Sequence, residues 1–144
     1  HKATLLLEQI YHDLTDGNLG KQEVIEFKGR QINVPRVSGA VAFFSFGDLC
    51  AIPLGAGDYL LLAKRFRSII ISDVPVMTSQ NQDLARRFMV LIDALYESKA
   101  HLVISAAADP VNLYKGDDWG FEFDRTISRL LEMQSIDYIE SSRH

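Results

Sequence analysis

The 144-residue chain has the length of one domain, and its 47% hydrophobic and 24% charged residues exclude the disordered, low-hydrophobicity class. A formal net charge of -4 and a pI near 5.5 give no overall attraction for phosphate backbones or anionic lipid, so nucleic acid is not a leading partner. A lone cysteine, Cys50, excludes an internal disulfide, and no apolar run approaches the ~20 residues of a membrane-spanning helix.

The sequence opens His1-Lys2-Ala3 without an initiator methionine or an apolar signal core, as a trimmed fragment would. Residues 3 to 14 place Leu5, Leu6, Ile10 and Leu14 at helical spacing, and Asp16-Gly17-Asn18 supplies residues that end a helix. Val24, Ile25 and Phe27, then Ile32 and Val34, flank Lys28-Gly29-Arg30; this predicts a β-hairpin closed by Pro35. Residues 41 to 46, aromatic and bounded by Gly39 and Gly47, read as a further strand, followed by a loop through Pro53.

From Gly55 the series Tyr59, Leu60, Leu62, Ala63 and Phe66 marks a helix of about three turns, with Lys64, Arg65 and Arg67 offsetting the dipole at its end. Ser68 to Val74 is a mostly β-branched run stopped by Pro75, as expected of a strand covered on both faces in a parallel sheet. Ser79 and Gln82 form a candidate capping box for a helix over about 80–98, and His101 to Ser105 is a second short strand. A strand, a crossover helix and a strand suit parallel pairing. Asp109-Pro110 starts one helical turn ending near Tyr114, Gly116 to Gly120 is a loop, and Arg125 to Met133 is a last helix; Trp119, Phe121 and Phe123 alternate as a short half-buried strand would. The tail from Ser141 is expected to fray. The reading is α/β: a small parallel sheet with strands near 68–74 and 101–105, a crossover helix 80–98, an N-terminal helix and hairpin, and a C-terminal helix. One domain over 1–144 is expected, with 1–35 as lead-in and 36–144 as the α/β core.

A nucleotide site needs a glycine-rich phosphate cradle finished by Lys and Ser or Thr. Gly20-Lys21 is followed by Gln22 and preceded five residues earlier by Thr15, so it reads as a loop. One Cys and four scattered His make no closed zinc site, so no metal ligand set is expected. Cys50, with no His near it in sequence, reads as a small buried hydrophobe. Asp73 ends an apolar strand where an acidic residue could hold a metal ion, but turn chemistry explains it more simply. Arg86 and Arg87 share a helix with Asp83 and Asp93, and ordinary surface ion pairing is expected. Arg125 and Arg129 lie four apart on one helix face beside Asp124 and Glu132; the residues alone favour docking of the last helix, with a phosphate held in trans as the sharper alternative.

Residues 46–66 (FGDLCAIPLGAGDYLLLAKRF), 83–97 (DLARRFMVLIDALYE), 102–114 (LVISAAADPVNLY) and 121–135 (FEFDRTISRLLEMQS) resemble, in order, the C-terminal half of the AFG-like (ZapE-type) ATPases. The resemblance implies an AAA-related P-loop ATPase whose phosphate loop and Walker B acidic pair precede this region. ATP and Mg²⁺ then belong to the complete protein, and the fragment alone is expected to be inactive. It also implies that Arg125, Arg129 and Arg86 match basic positions as candidate trans or sensing arginines. The expected partners are the N-terminal nucleotide-binding region, a homo-oligomer, and a client such as the tubulin-like FtsZ in cell division. The compartments implied are the bacterial cytoplasm or, in a eukaryote, the mitochondrial matrix. Phe66 to Tyr114 further resembles a degenerate Walker B strand, helix and sensor strand. The rival expectation is a non-catalytic interaction module that binds a client.

Overall fold

The computed structural model describes residues 2–116 and 120–133, so Trp119 and the tail from Ser141 lie outside the described residues. The first element is α1 (Lys2–Leu14). It rests on the sheet through Leu7 and Tyr11, flanked by Ile10 and Leu14, whereas Leu5 and Leu6 are 69% and 62% exposed. The expected stripe is therefore shifted. Two stripes are compatible with the spacing, and Tyr11, set edge-on to Phe43 at 5.8 Å between ring centres, selects the one that packs.

Strands β1 (Lys21–Phe27) and β2 (Arg30–Ser38) form the expected antiparallel hairpin. Its two-residue turn holds Lys28 at φ 51 and Gly29 at φ 77, the left-handed pair that matches strand twist. Pro35 does not close the hairpin, because β2 continues to Ser38. A bulge absorbs the missing N–H: Glu23 lies opposite Val34 but Lys21 opposite Val37, so β2 holds one extra residue there. The extra residue reverses the alternation. Ile32, Val34 and then Val37 enter one buried cluster, while Arg36 turns to the opposite face and lies over the Tyr11 ring at 4.1 Å.

Just before β1, Gly20 sits at φ 77, and a Cβ there would stand 2.1 Å from Tyr11 Oη and 2.8 Å from the Val37 carbonyl oxygen. Gly20 is thus fixed by steric demand, in the loop before β1. Gly20→Ala is expected to destabilise the fold by about 2–4 kcal/mol, read as a lowered midpoint in thermal or urea denaturation; an unchanged midpoint would refute the clash.

Next come β3 (Val41–Ser45), α2 (Phe46–Cys50) and α3 (Ala56–Arg65). Residues 46–50 are helical rather than strand end and loop, because Ser45 caps them: its hydroxyl accepts from Asp48 N–H at 3.2 Å and Asp48 accepts from Ser45 N–H at 2.8 Å. Strand β4 (Ser68–Val74) is buried on both faces over its first four residues. A 3₁₀ turn (Ser79–Asn81) leads into α4 (Gln82–Glu97), and its cap is Thr78 with Asn81, one residue before the pair expected from sequence. Strand β5 (His101–Ala106), a second 3₁₀ turn (Pro110–Asn112) and α5 (Gly120–Met133) complete the described chain.

The five strands form one mixed sheet in the order β1-β2-β3-β4-β5, with β3, β4 and β5 parallel. Ile69 and Ile71 join the larger core with α2, α3 and α4, while Ile70 faces α1 on the other side. Helix α5 packs on α4 and on the Pro110–Asn112 turn. The alternating-strand reading of Phe121 and Phe123 is corrected by this helix: at about 100° per residue they fall on opposite sides. Phe123 is 2% exposed and Phe121 87% exposed.

Candidate functional site

The sharpest cluster of chemistry-bearing side chains joins α4 and α5. Helix α5 buries Phe123, Thr126, Leu130 and Met133 at helical spacing, which turns Arg125 and Arg129 to the flank facing Asp93 of α4. Arg125 Nη2 donates to Asp93 Oδ2 at 2.8 Å, and Arg129 Nη1 donates to Asp93 Oδ1. One carboxylate therefore serves two guanidiniums. The two arginines are held differently. Arg129 has 20% of its side chain exposed and lies over the Tyr96 ring at 4.8 Å, while Arg125 is 65% exposed. Tyr96 Oη donates to Glu132 Oε2 at 2.7 Å, and that bond to a carboxylate raises the phenol above its ordinary pKa. Arg129 thus braces the helix, and Arg125 keeps donors turned to solvent.

Arg86 is not part of this cluster. It lines a separate cleft of about 400 Å³ with Pro53, Leu54, Gly55, Ala56, Asp83, Arg87 and Val90, and it makes no ion pair among the described residues. The expected pairing of Arg86 and Arg87 with Asp83 or Asp93 is not what forms. Asp93 is taken by α5, and Arg87 Nη1 donates to the Cys50 carbonyl at 3.1 Å. Sequence reasoning missed Asp93 as the shared partner, since its arginines lie 32 and 36 residues further on.

Asp73 is exposed at φ 62, where β4 shifts register against β5, and its N–H donates to Ser105 Oγ at 2.9 Å. Among the described residues it belongs to no group of three or more His, Cys, Asp or Glu that could hold a metal ion. Two further carboxyl and thiol groups are structural. Asp58, fully buried, accepts from Gly55 N–H at 2.8 Å and from Arg30 Nη2 at 2.7 Å, pinning the hairpin turn to the start of α3. Cys50 is fully buried beside Tyr59, whose hydroxyl donates to the Leu49 carbonyl at 2.7 Å, and burial pushes the Cys50 thiol up to about 12. Alkylation of Cys50 at pH 8.5 is therefore expected to run at least ~10³-fold slower in the native protein than in denaturant; equal rates would mean that α2 opens freely.

No helix among the described residues is long and apolar enough to cross a membrane. No solved structure matches the chain. An uncharacterised protein of Schizosaccharomyces pombe is 36% identical over 148 residues, covering 83% of this chain and 33% of its own length. The cell division protein ZapE of Escherichia coli is 34% identical over 134 residues, covering 93% of this chain and 36% of its own length. Lactation elevated protein 1 homolog B of Danio rerio is 33% identical over 150 residues, covering 82% of this chain and 30% of its own length. The chain therefore spans about a third of the length of the curated relatives it matches. The family model described as AFG1-like ATPase matches residues 1–142, and the chain belongs to that family.

Proposed function

We propose that this chain is one domain of an ATP-hydrolysing protein that acts on client proteins, and that Arg125 is the arginine it presents to a nucleotide phosphate bound by another segment or subunit. The observation that carries the reading is the unequal exposure of the pair on Asp93, with Arg125 at 65% and Arg129 at 20%. A guanidinium anchored at one nitrogen and open at the others is a preorganised donor for a phosphoryl oxygen. Arg86, in its own cleft, is the second candidate for a sensing role.

The residues present do not by themselves fit ATP and Mg²⁺. After β3 the chain turns directly into α2, and Ser45 and Asp48 occupy the start of that helix with their own hydrogen bonds. Gly20, the nearest glycine to a phosphate-loop pattern, is closed off by Tyr11 and Val37. The nucleotide is therefore assigned to the N-terminal region of the complete protein, in the bacterial cytoplasm or the mitochondrial matrix, and a homo-oligomer would supply the trans arrangement. A second reading, a non-catalytic module that binds a client such as a cell-division protein, draws on the same ion pairs, because both arginines also serve to dock α5 on α4.

The test is a titration with a labelled ATP analogue and Mg²⁺, first of this chain and then of its mixture with the separately expressed N-terminal segment. Binding or turnover only in the mixture supports the composite site. Tight binding to the chain alone would overturn the assignment.

A further inference from the structure

Helices α3, α4 and α5 pack in one layer on the larger core. Helix α4 packs on α3 and on α5, with Arg87 reaching Cys50 on one flank and Asp93 and Tyr96 holding α5 on the other. Strand β5 is the last of the sheet, and α5 packs on α4 and on the Pro110–Asn112 turn that follows β5. His101 N–H donates to the Arg67 carbonyl and Ala107 N–H to the Val74 carbonyl, both at 2.9 Å, so the odd-numbered residues of β5 face β4. By alternation, the main-chain groups of Leu102 and Ile104 face the open side.

Among the described residues that edge carries none of the usual protection. β1, the opposite edge, has Lys21, Glu23 and Glu26 and pairs across a bulge. The β5 sequence, HLVISA, has no acidic residue, lysine, arginine or proline, and such an uncharged edge invites pairing. The helices on the two faces of the sheet each carry an exposed leucine. Leu6, 62% exposed, lies about 200° around α1 from Glu8, and Glu8 pairs with Arg36 of β2, so Leu6 sits on the β5 side. Leu131, 49% exposed, lies about 200° around α5 from Arg129.

We propose that the open edge of β5 takes one extended strand from the polypeptide beyond the present chain, added to the sheet beneath α5 and beside Leu6. A second copy of the domain is disfavoured, because its own α5 would meet this one over the seam. The relatives have about two thirds of their length outside the matched region, which is ample chain to provide the strand. An uncharged edge calls for standing cover, which favours a covalently attached strand over a passing client.

Amide hydrogen exchange on this chain and on the complete polypeptide tests the proposal without any substitution. In the chain alone, Leu102 and Ile104 amides should exchange fast while His101 and Val103, bonded to β4, stay protected. In the complete polypeptide Leu102 and Ile104 should slow by ~100-fold or more. The proposal is overturned if they remain fast there, if they slow only when a client protein is added, or if they slow in the chain alone with rising concentration, which would identify a second copy as the occupant.

Discussion

If Arg125 is the trans arginine, replacing it with alanine in the complete protein is expected to lower ATP turnover ~10³-fold, about 4 kcal/mol of transition-state stabilisation, with little change in stability. The two effects separate because Arg125 is mostly exposed. Its bond to Asp93 is a surface ion pair, a class worth about 0–1 kcal/mol to folding. Arg129→Ala should show the reverse pattern. Its guanidinium is largely covered, lies on Tyr96 and shares Asp93, so its loss loosens α5 and lowers the thermal midpoint before it affects chemistry. Steady-state turnover and a melting curve on both variants decide the matter. If Arg125→Ala turns over ATP at the wild-type rate while client binding falls, the trans-arginine reading fails and the interaction module stands.

Phe123→Ala should cost about 3–4 kcal/mol of stability, the range for deleting a buried phenyl ring. The ring stacks between Phe88 at 6.4 Å and Tyr114 at 5.4 Å, and through them joins α5 to α4 and to the chain after β5. Phe121→Ala, two residues earlier but 87% exposed, should stay within about 0.5 kcal/mol. Chemical denaturation of the pair measures the difference. Equal losses would mean that the two rings share one face, as in a strand, and that α5 does not begin before Phe121.

That contrast shows where the sequence was informative and where it was not. Ser68 to Val74, the helix over 82–97 and the strand from His101 were legible because each holds one pattern over most of its length, and Pro75 stops the first of them. Phe121-Glu122-Phe123 spans only three residues, too few for alternation to exclude a helix whose apolar positions continue to Met133. Helix α2 was hidden for a similar reason: Ser45-x-x-Asp48 is a capping signal, but it begins inside an aromatic strand that masks it. In the candidate site, the shared face of Arg125 and Arg129 was legible from their spacing of four. Asp93 was assigned to nearer arginines because local rules rank partners by sequence distance, whereas packing of α5 on α4 sets the actual partner. The family was carried by four ordered blocks, and the match over residues 1–142 extends it to the helix and hairpin that had little distinctive pattern of their own.

The bulge near Pro35 also marks the one place where β2 can lose a residue without turning its faces over. Removing Pro35 would restore simple alternation and still leave Val37 on the face of Ile32 and Val34 and Arg36 on the face of Tyr11, because the bulge holds one residue more than the partner strand. Loss of Pro35 should therefore be tolerated, whereas one residue added between Ile32 and Val34, where no bulge absorbs it, would turn one of the two out of the core.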